Sequence, residues 1–337
     1  MTDPRLAVDL GAGLKLQNPV MPASGCFGVE MASLIDLDTL GALVPKTIFY
    51  GARAGNPSPR LAETPAGMLN SVGIPSRGID DFLRRILPAY RRFRPPTIVS
   101  IGGLSIHEYW DLAARLNGVP GVAGLELNVS CPNLEAGGLE IGASPENVAR
   151  VVHGVVQRFE GPVIAKLTPN VTRINDIALA AEEAGASAIS AINTFVAMAI
   201  DVHARQPLTG TPTAGISGPA IKPMALRMVW ETARTVRVPV IGMGGISNAQ
   251  DALEFILAGA SAVAIGTANF TRPTAMPDTI AGLSRFLDDE GVGNVRELIG
   301  ALRYEAFGPT AAVDAPGAYG PPDPDTTPAP RRGRRPS

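Results

Sequence analysis

Eight short apolar runs, each ending at or next to Gly, Ser, Thr or Asn and each followed by a helical pattern, constrain the fold of this chain more than any other feature. They are Pro19 to Gly25, Ala42 to Ile48, Thr97 to Gly102, Gly124 to Ser130, Pro162 to Thr168, Ala188 to Asn193, Val238 to Gly242 and Ala262 to Thr267. Runs such as Val238-Pro239-Val240-Ile241 and Ala262-Val263-Ala264-Ile265 do not alternate. That is the pattern of strands covered by helices on both faces. Between the runs, Ile174, Ile177, Ala178 and Ala181 fall at i, i+3, i+4 and i+7 with Gly185 as a stop, and Ser144-Pro145 reads as an N-cap followed by proline in the first turn. Eight such units predict a (β/α)8 TIM barrel. The competing architecture, a doubly wound sheet, would announce a nucleotide by G-x-G-x-x-G after the first strand, and none occurs there.

The 337 residues accommodate a barrel of roughly 250 residues plus a tail, and 45% hydrophobic against 18% charged residues supports a large core. The expected boundaries are a catalytic domain over 1–306 and a disordered tail, rich in Pro, Gly and Arg, over 307–337. A hairpin around Gly11-Ala12-Gly13, within Leu6 to Leu16, is expected to plug the barrel bottom, and two long insertions, Phe49 to Ser76 and Cys131 to Ala143, to lie over the mouth. A net charge of −2, with Arg331-Arg332-Gly333-Arg334-Arg335 confined to the tail, argues against a nucleic-acid partner. The N-terminus lacks an apolar signal core, and no stretch approaches the ~18 apolar residues of a membrane span, so the expected location is cytoplasmic.

Chemistry in such a barrel is carried at the C-terminal strand ends. Read in order, these ends hold Ser24, Lys46-Thr47, Ser100, Asn128 with Cys131 and Asn133, Lys166, Asn193-Thr194, Gly244-Gly245 and Gly266-Thr267. The glycine-rich ends of the last two runs, with Gly215-Ile216-Ser217-Gly218, suit a phosphate held by backbone N–H groups. Lys46 and Lys166 are costly at buried strand ends unless an anion is near, and no Asp or Glu stands among those ends, so an anionic ligand is expected. His107, His153 and His203 are scattered and neither cysteine has a metal-ligand spacing, so no metal site is expected. A Ser-His-Asp set and paired carboxylates are also missing, which leaves amides, hydroxyls, lysines and one thiol. Cys131, just beyond a buried strand and before Pro132-Asn133 and Gly137-Gly138, is either a packed thiol or a catalytic one; its place over the mouth favours catalysis. For Cys26 packing is the favoured reading.

The run Asn128-Val129-Ser130-Cys131-Pro132-Asn133 resembles the signature of class 1 dihydroorotate dehydrogenases, over about residues 5 to 300. Pro45-Lys46-Thr47, Gly67-Met68-Leu69-Asn70-Ser71-Val72-Gly73-Ile74, Lys166-Leu167-Thr168-Pro169-Asn170-Val171 and Gly218-Pro219-Ala220-Ile221-Lys222-Pro223 agree with it, most closely with the NAD-linked subclass 1B. The resemblance implies one FMN per subunit, contacted by Ser24, Lys46, Thr47, Asn128, Lys166, Ile192, Gly218, Gly244, Gly245, Gly266 and Thr267. It implies dihydroorotate held by Lys46, Asn70, Ser71, Val72, Gly73, Ile74, Asn128, Asn133, Asn193 and Thr194, with Cys131 removing the C5 proton while the C6 hydride leaves to the flavin. Two cysteines cannot hold an iron-sulfur cluster. The resemblance therefore implies a separate electron-transfer subunit carrying FAD and a 2Fe-2S cluster, in a heterotetramer built on a homodimer of catalytic chains. Ser100, Cys26 and Ala214 depart from the family's usual asparagine, threonine and glycine. A fumarate-linked class 1A enzyme and a flavin-free phosphate-binding barrel are the alternatives.

Overall fold

Seven of the eight runs form a single parallel sheet in the computed structural model, which describes residues 3–130, 132–133 and 139–303. In chain order the strands are Val20–Pro22, Ile98–Ile101, Gly124–Asn128, Val163–Leu167, Ala188–Ala191, Val240–Met243 and Ala262–Ile265. Every residue in them is buried, as strands sandwiched between a barrel interior and an outer ring of helices must be. Spatially, Val20–Pro22 pairs with Ala262–Ile265, and pairing continues back through the later strands to Ile98–Ile101.

The second barrel position, expected as a strand over Ala42 to Ile48, is not a regular strand. It is reduced to two isolated bridges, Leu43 with Thr97 and Ile48 with Ile101. Pro45 lies between them with no N–H to give to a ladder, so continuous pairing is not available. The segment nevertheless closes the ring: Gly41 donates to Val20 O (2.8 Å) on one side, and Ile48 to Ser100 O and Gly102 to Ile48 O (both 2.9 Å) on the other.

The outer helices follow their sequence signals. In Ile174–Glu183 the buried residues are Ile174, Ile177, Ala178 and Ala181, the stripe that the spacing predicts. Ser144 accepts the Asn147 N–H and caps Pro145–Val156. At the other end of the barrel, Val8–Asp9 pairs antiparallel with Lys15–Leu16 through a turn in which Gly11, Ala12 and Gly13 all have positive φ. A Cβ on Gly11 would lie 2.8 Å from Ser187 O, just below strand Ala188–Ala191, so the hairpin covers the strand N-termini.

Over the mouth the insertions are more extensive than the two expected. Leu61–Thr64 and Gly67–Asn70 form a hairpin that is extended by Ala214–Ser217 and Phe195–Ala197 into a four-stranded antiparallel sheet. The connection after the sixth strand is thus a third insertion. Its pairing with a segment some 145 residues away, Gly215 opposite Asn70, leaves no local trace in sequence. In the 131–143 segment, Pro132–Asn133 pairs with Leu139–Glu140. Cys131 and residues 134–138 lie outside the described residues, as does the tail expected over 307–337. Met1–Ala301 forms one compact unit, and of the second unit, Leu302–Ser337, only Leu302 and Arg303 are described. Among the described residues no helix is long and apolar enough to cross a membrane.

Candidate active site

The strand C-termini and the mouth sheet enclose a cavity of about 360 Å³. Ser24, Lys46, Thr47, Asn70, Val72, Gly73, Ile74, Asn128, Lys166, Ile192, Asn193, Thr194, Gly218, Gly244, Gly245, Gly266 and Thr267 all line it. Ser71 does not. Its side chain is buried behind the wall, bonded to Asn56 Nδ2 (3.0 Å) and to Thr211 Oγ1. Strand alternation accounts for this, because neighbours of a lining residue such as Asn70 point the other way. For Asn133 the backbone alone is described, and Cys131 is outside the described residues, although Ser130 just before it lines the cavity.

A polar chain crosses one side of the cavity. Ser100 and Thr47 share a hydroxyl–hydroxyl bond (2.9 Å), Asn128 Nδ2 donates to Thr47 Oγ1 (3.4 Å), and Asn193 Nδ2 donates to Asn128 Oδ1 (3.1 Å). Asn193 Oδ1 in turn accepts the Thr194 N–H (2.9 Å). The Asn128 side chain is therefore held at both ends, and its backbone carbonyl accepts Tyr109 OH (2.6 Å) from a fully buried ring. Tyr109→Phe should leave that buried carbonyl without its hydroxyl donor and cost about 1–3 kcal/mol, measurable as a lower denaturant midpoint at unchanged slope. Ser100, one of the departures from the family pattern, sits behind Thr47 rather than on the cavity surface.

The two lysines occupy different surroundings. Burial pulls the Lys46 pKa down, Cys26 opposing and Arg60 reinforcing the shift, and no carboxylate pairs with it among the described residues. Lys166, for which an anionic ligand is expected because no Asp or Glu stands at the strand ends, has a carboxylate beside it one step deeper in the barrel. Its Nζ lies 3.8 Å from Glu126 Oε1, each side chain only 6% exposed, and 3.3 Å from Ser24 Oγ. Glu126 Oε2 also accepts Ser190 Oγ at 3.2 Å. Attention to strand ends overlooks Glu126, two residues before Asn128, although the two-residue period places both on one strand face. The Cys26 thiol lines the cavity close to Gly266, its pKa raised by burial and opposed by Lys166 and Lys46.

The third wall is backbone. Among the described residues, the N–H groups of Gly244, Gly245, Gly266 and Thr267 have no protein acceptor. Gly244 has φ +125°, and a Cβ there would lie 2.6 Å from Ala225 Cβ, so glycine is needed both for conformation and for space. Thr267 Oγ1 donates to Ser217 Oγ (2.8 Å), which joins this wall to the mouth sheet. Asn170, Ser217, Met68 and Phe270 also line the cavity and were not anticipated from the strand ends. Asn170, Met68 and Ser217 had a signal, since they stand in the Lys166-Leu167-Thr168-Pro169-Asn170, Gly67-Met68-Leu69-Asn70 and Gly215-Ile216-Ser217-Gly218 runs; Phe270 arrives through a short helix.

A parallel barrel whose mouth gathers one buried and one partly buried lysine, several amides and N–H donors that are unpaired among the described residues defines the protein as a (β/α)8-barrel enzyme with its chemistry at the strand C-termini. A model of the dihydroorotate dehydrogenase family matches residues 6–287, and the chain belongs to that family. It is 54% identical over 292 residues to "Dihydroorotate dehydrogenase B (NAD(+)), catalytic subunit" of Desulforudis audaxviator strain MP104C, covering 86% of this chain and 95% of that one. Proteins of the same name from Geotalea uraniireducens strain Rf4 (49% over 304 residues, 90% and 99% covered) and Pelobacter propionicus strain DSM 2379 (49% over 301 residues, 89% and 99%) are also similar.

Proposed function

We propose that this protein is the FMN-bearing catalytic subunit that oxidises (S)-dihydroorotate to orotate in UMP biosynthesis and passes the electrons to NAD through a partner subunit. The observation that carries the reading is the convergence of Lys46, Lys166, the Asn128–Asn193 amide pair and four N–H groups, unpaired among the described residues, on one cavity, in a chain of this family. These residues fit FMN: the N–H groups of Gly244, Gly245, Gly266 and Thr267 match a phosphate, and Lys166 and Thr47 present a cation and a hydroxyl to a polar ring. When bound, FMN supplies the two-electron acceptor.

The chain's own residues do the rest. Lys46 meets the substrate carboxylate, and Asn70, Asn128, Asn133 and Asn193 pair with the donor and acceptor edges of the pyrimidine ring. Cys131 removes the C5 proton, while the 132–143 segment excludes water. Electrons then leave through a partner with FAD and a 2Fe-2S cluster, docked on a homodimer of catalytic chains in the cytoplasm.

The test is reconstitution of the purified full chain with FMN followed by anaerobic addition of dihydroorotate. Loss of flavin absorbance is expected, with NAD reduced only when the partner is present. A protein that takes up no FMN would overturn the flavoenzyme reading, and rapid turnover with fumarate alone would overturn the NAD-linked one.

A further inference from the structure

Behind the Gly244–Ser247 turn lies a charged cluster whose side chains do not line the cavity. Asp251 is its centre, nine-tenths buried, and both of its carboxylate oxygens are engaged. Oδ2 accepts the Ser247 N–H at 2.8 Å and Oδ1 accepts Lys222 Nζ at 2.7 Å. Lys222 Nζ also reaches Glu254 Oε2 at 2.9 Å, and Arg272 donates to the Ser247 carbonyl while pairing with Asp278 at 3.6 Å. Ser247 is thus fastened at its N–H and its C=O. The backbone beside Lys222 also supports the turn: a Cβ on Gly245 would lie 2.7 Å from Lys222 Cβ and 2.9 Å from Gly218 O. The Lys222 pKa is raised, chiefly by its hydrogen bond to Asp251, so the ammonium stays charged and offsets a carboxylate that would otherwise repel an anion.

We propose that Asp251, braced by Lys222, is a positioning residue for the phosphate of the flavin. It holds the Gly244-Gly245-Ile246-Ser247 turn so that the N–H groups of Gly244 and Gly245 stay directed at the cavity. Helix capping alone does not explain the carboxylate, because the cap of helix Ala249–Leu257 is Asn248, whose Oδ1 accepts the Asp251 backbone N–H (3.0 Å). Asp251→Asn keeps that cap and the side-chain shape, yet it removes the charge and replaces one of the two accepting oxygens by an NH2 donor, which then faces either the Ser247 N–H or Lys222 Nζ.

The inference rests on the flavin reading, and its test separates the two. Full-length wild type, Asp251→Asn and Lys222→Met are deflavinated and titrated by fluorescence with FMN and with riboflavin, which lacks the phosphate. In the variants FMN affinity should fall about ten- to a hundredfold, the range expected when one charge-assisted hydrogen bond is lost, while riboflavin affinity changes little. Equal losses for both ligands would indicate a general defect of the barrel and overturn the inference, as would unchanged FMN affinity. Wild type that binds FMN no more tightly than riboflavin would instead overturn the phosphate-site reading beneath it. Lys222→Met, at a more exposed position, keeps the test available if Asp251→Asn fails to fold.

Discussion

Cys131→Ala will bind FMN normally and yet, mixed anaerobically with dihydroorotate, will reduce it about 10²- to 10⁴-fold more slowly than wild type, the usual contribution of a positioned general base. The C5 proton of dihydroorotate is only weakly acidic and needs a base within hydrogen-bond reach. Around the described cavity the polar side chains are lysines, amides, hydroxyls and the Cys26 thiol, whose pKa burial raises. An amide or hydroxyl is a poor base near neutral pH, and a protonated lysine is none. A thiol with an unperturbed pKa of ~8.5 is the best of these types for the task. Ser130 lines the cavity, and Cys131 is its neighbour in the chain. Cys131→Ser should retain a residue of activity that grows as pH rises, because a hydroxyl is harder to ionise. Stopped-flow absorbance decides the matter, and equal bleaching rates in wild type and alanine variant would remove Cys131 from the mechanism.

Lys166→Met will both destabilise the barrel and release the flavin, and the two effects can be separated. Removing the ammonium leaves Glu126 as a buried carboxylate whose remaining hydrogen bond is from Ser190 Oγ (3.2 Å). Breaking a buried pair from one side costs about 3–5 kcal/mol. Lys166→Met combined with Glu126→Gln takes away both charges and should recover most of that stability, since replacement of a whole buried pair is often nearly neutral. It should not recover FMN, whose affinity is expected to remain down by about a hundredfold for want of the cation. Thermal unfolding and flavin titration of both variants provide the readouts. Full recovery of FMN affinity in the double variant would mean that Lys166 serves the barrel interior and not the cofactor.

The barrel was legible because its signals are local. Helix Ile174–Glu183 buries the four residues its spacing selects, the Gly11-Ala12-Gly13 turn makes its hairpin, and non-alternating runs become strands buried throughout. The strand ends likewise carry most cavity-lining residues, since a parallel barrel presents all its C-termini on one face. The failures have two kinds of cause. Pro45 makes bridges of an expected strand, Ser71 turns away while Asn70 turns inward, and Glu126 faces Lys166 from a neighbouring strand. Pro45 and the alternation are local chemistry that a reading of apolar runs and strand ends passes over, whereas the Lys166–Glu126 pairing depends on which strands lie side by side.

Local periodicity, glycine and proline chemistry and the position of each strand end therefore determined the fold class and most of the cavity-lining residues, and they pointed to the glycine-rich wall proposed for phosphate and to Cys131 as the proposed base, because those properties are set by residues close in the chain. The tertiary structure decided the pairings: Lys166 with Glu126, Asp251 with Lys222 and Ser247, and the mouth sheet in which Gly215 meets Asn70. Apart from the bond between Ser247 and Asp251, four positions apart, these join residues up to about 145 positions apart, and they form only when the closed barrel brings their strands and loops together at low-dielectric sites where an unpaired charge or polar group is costly.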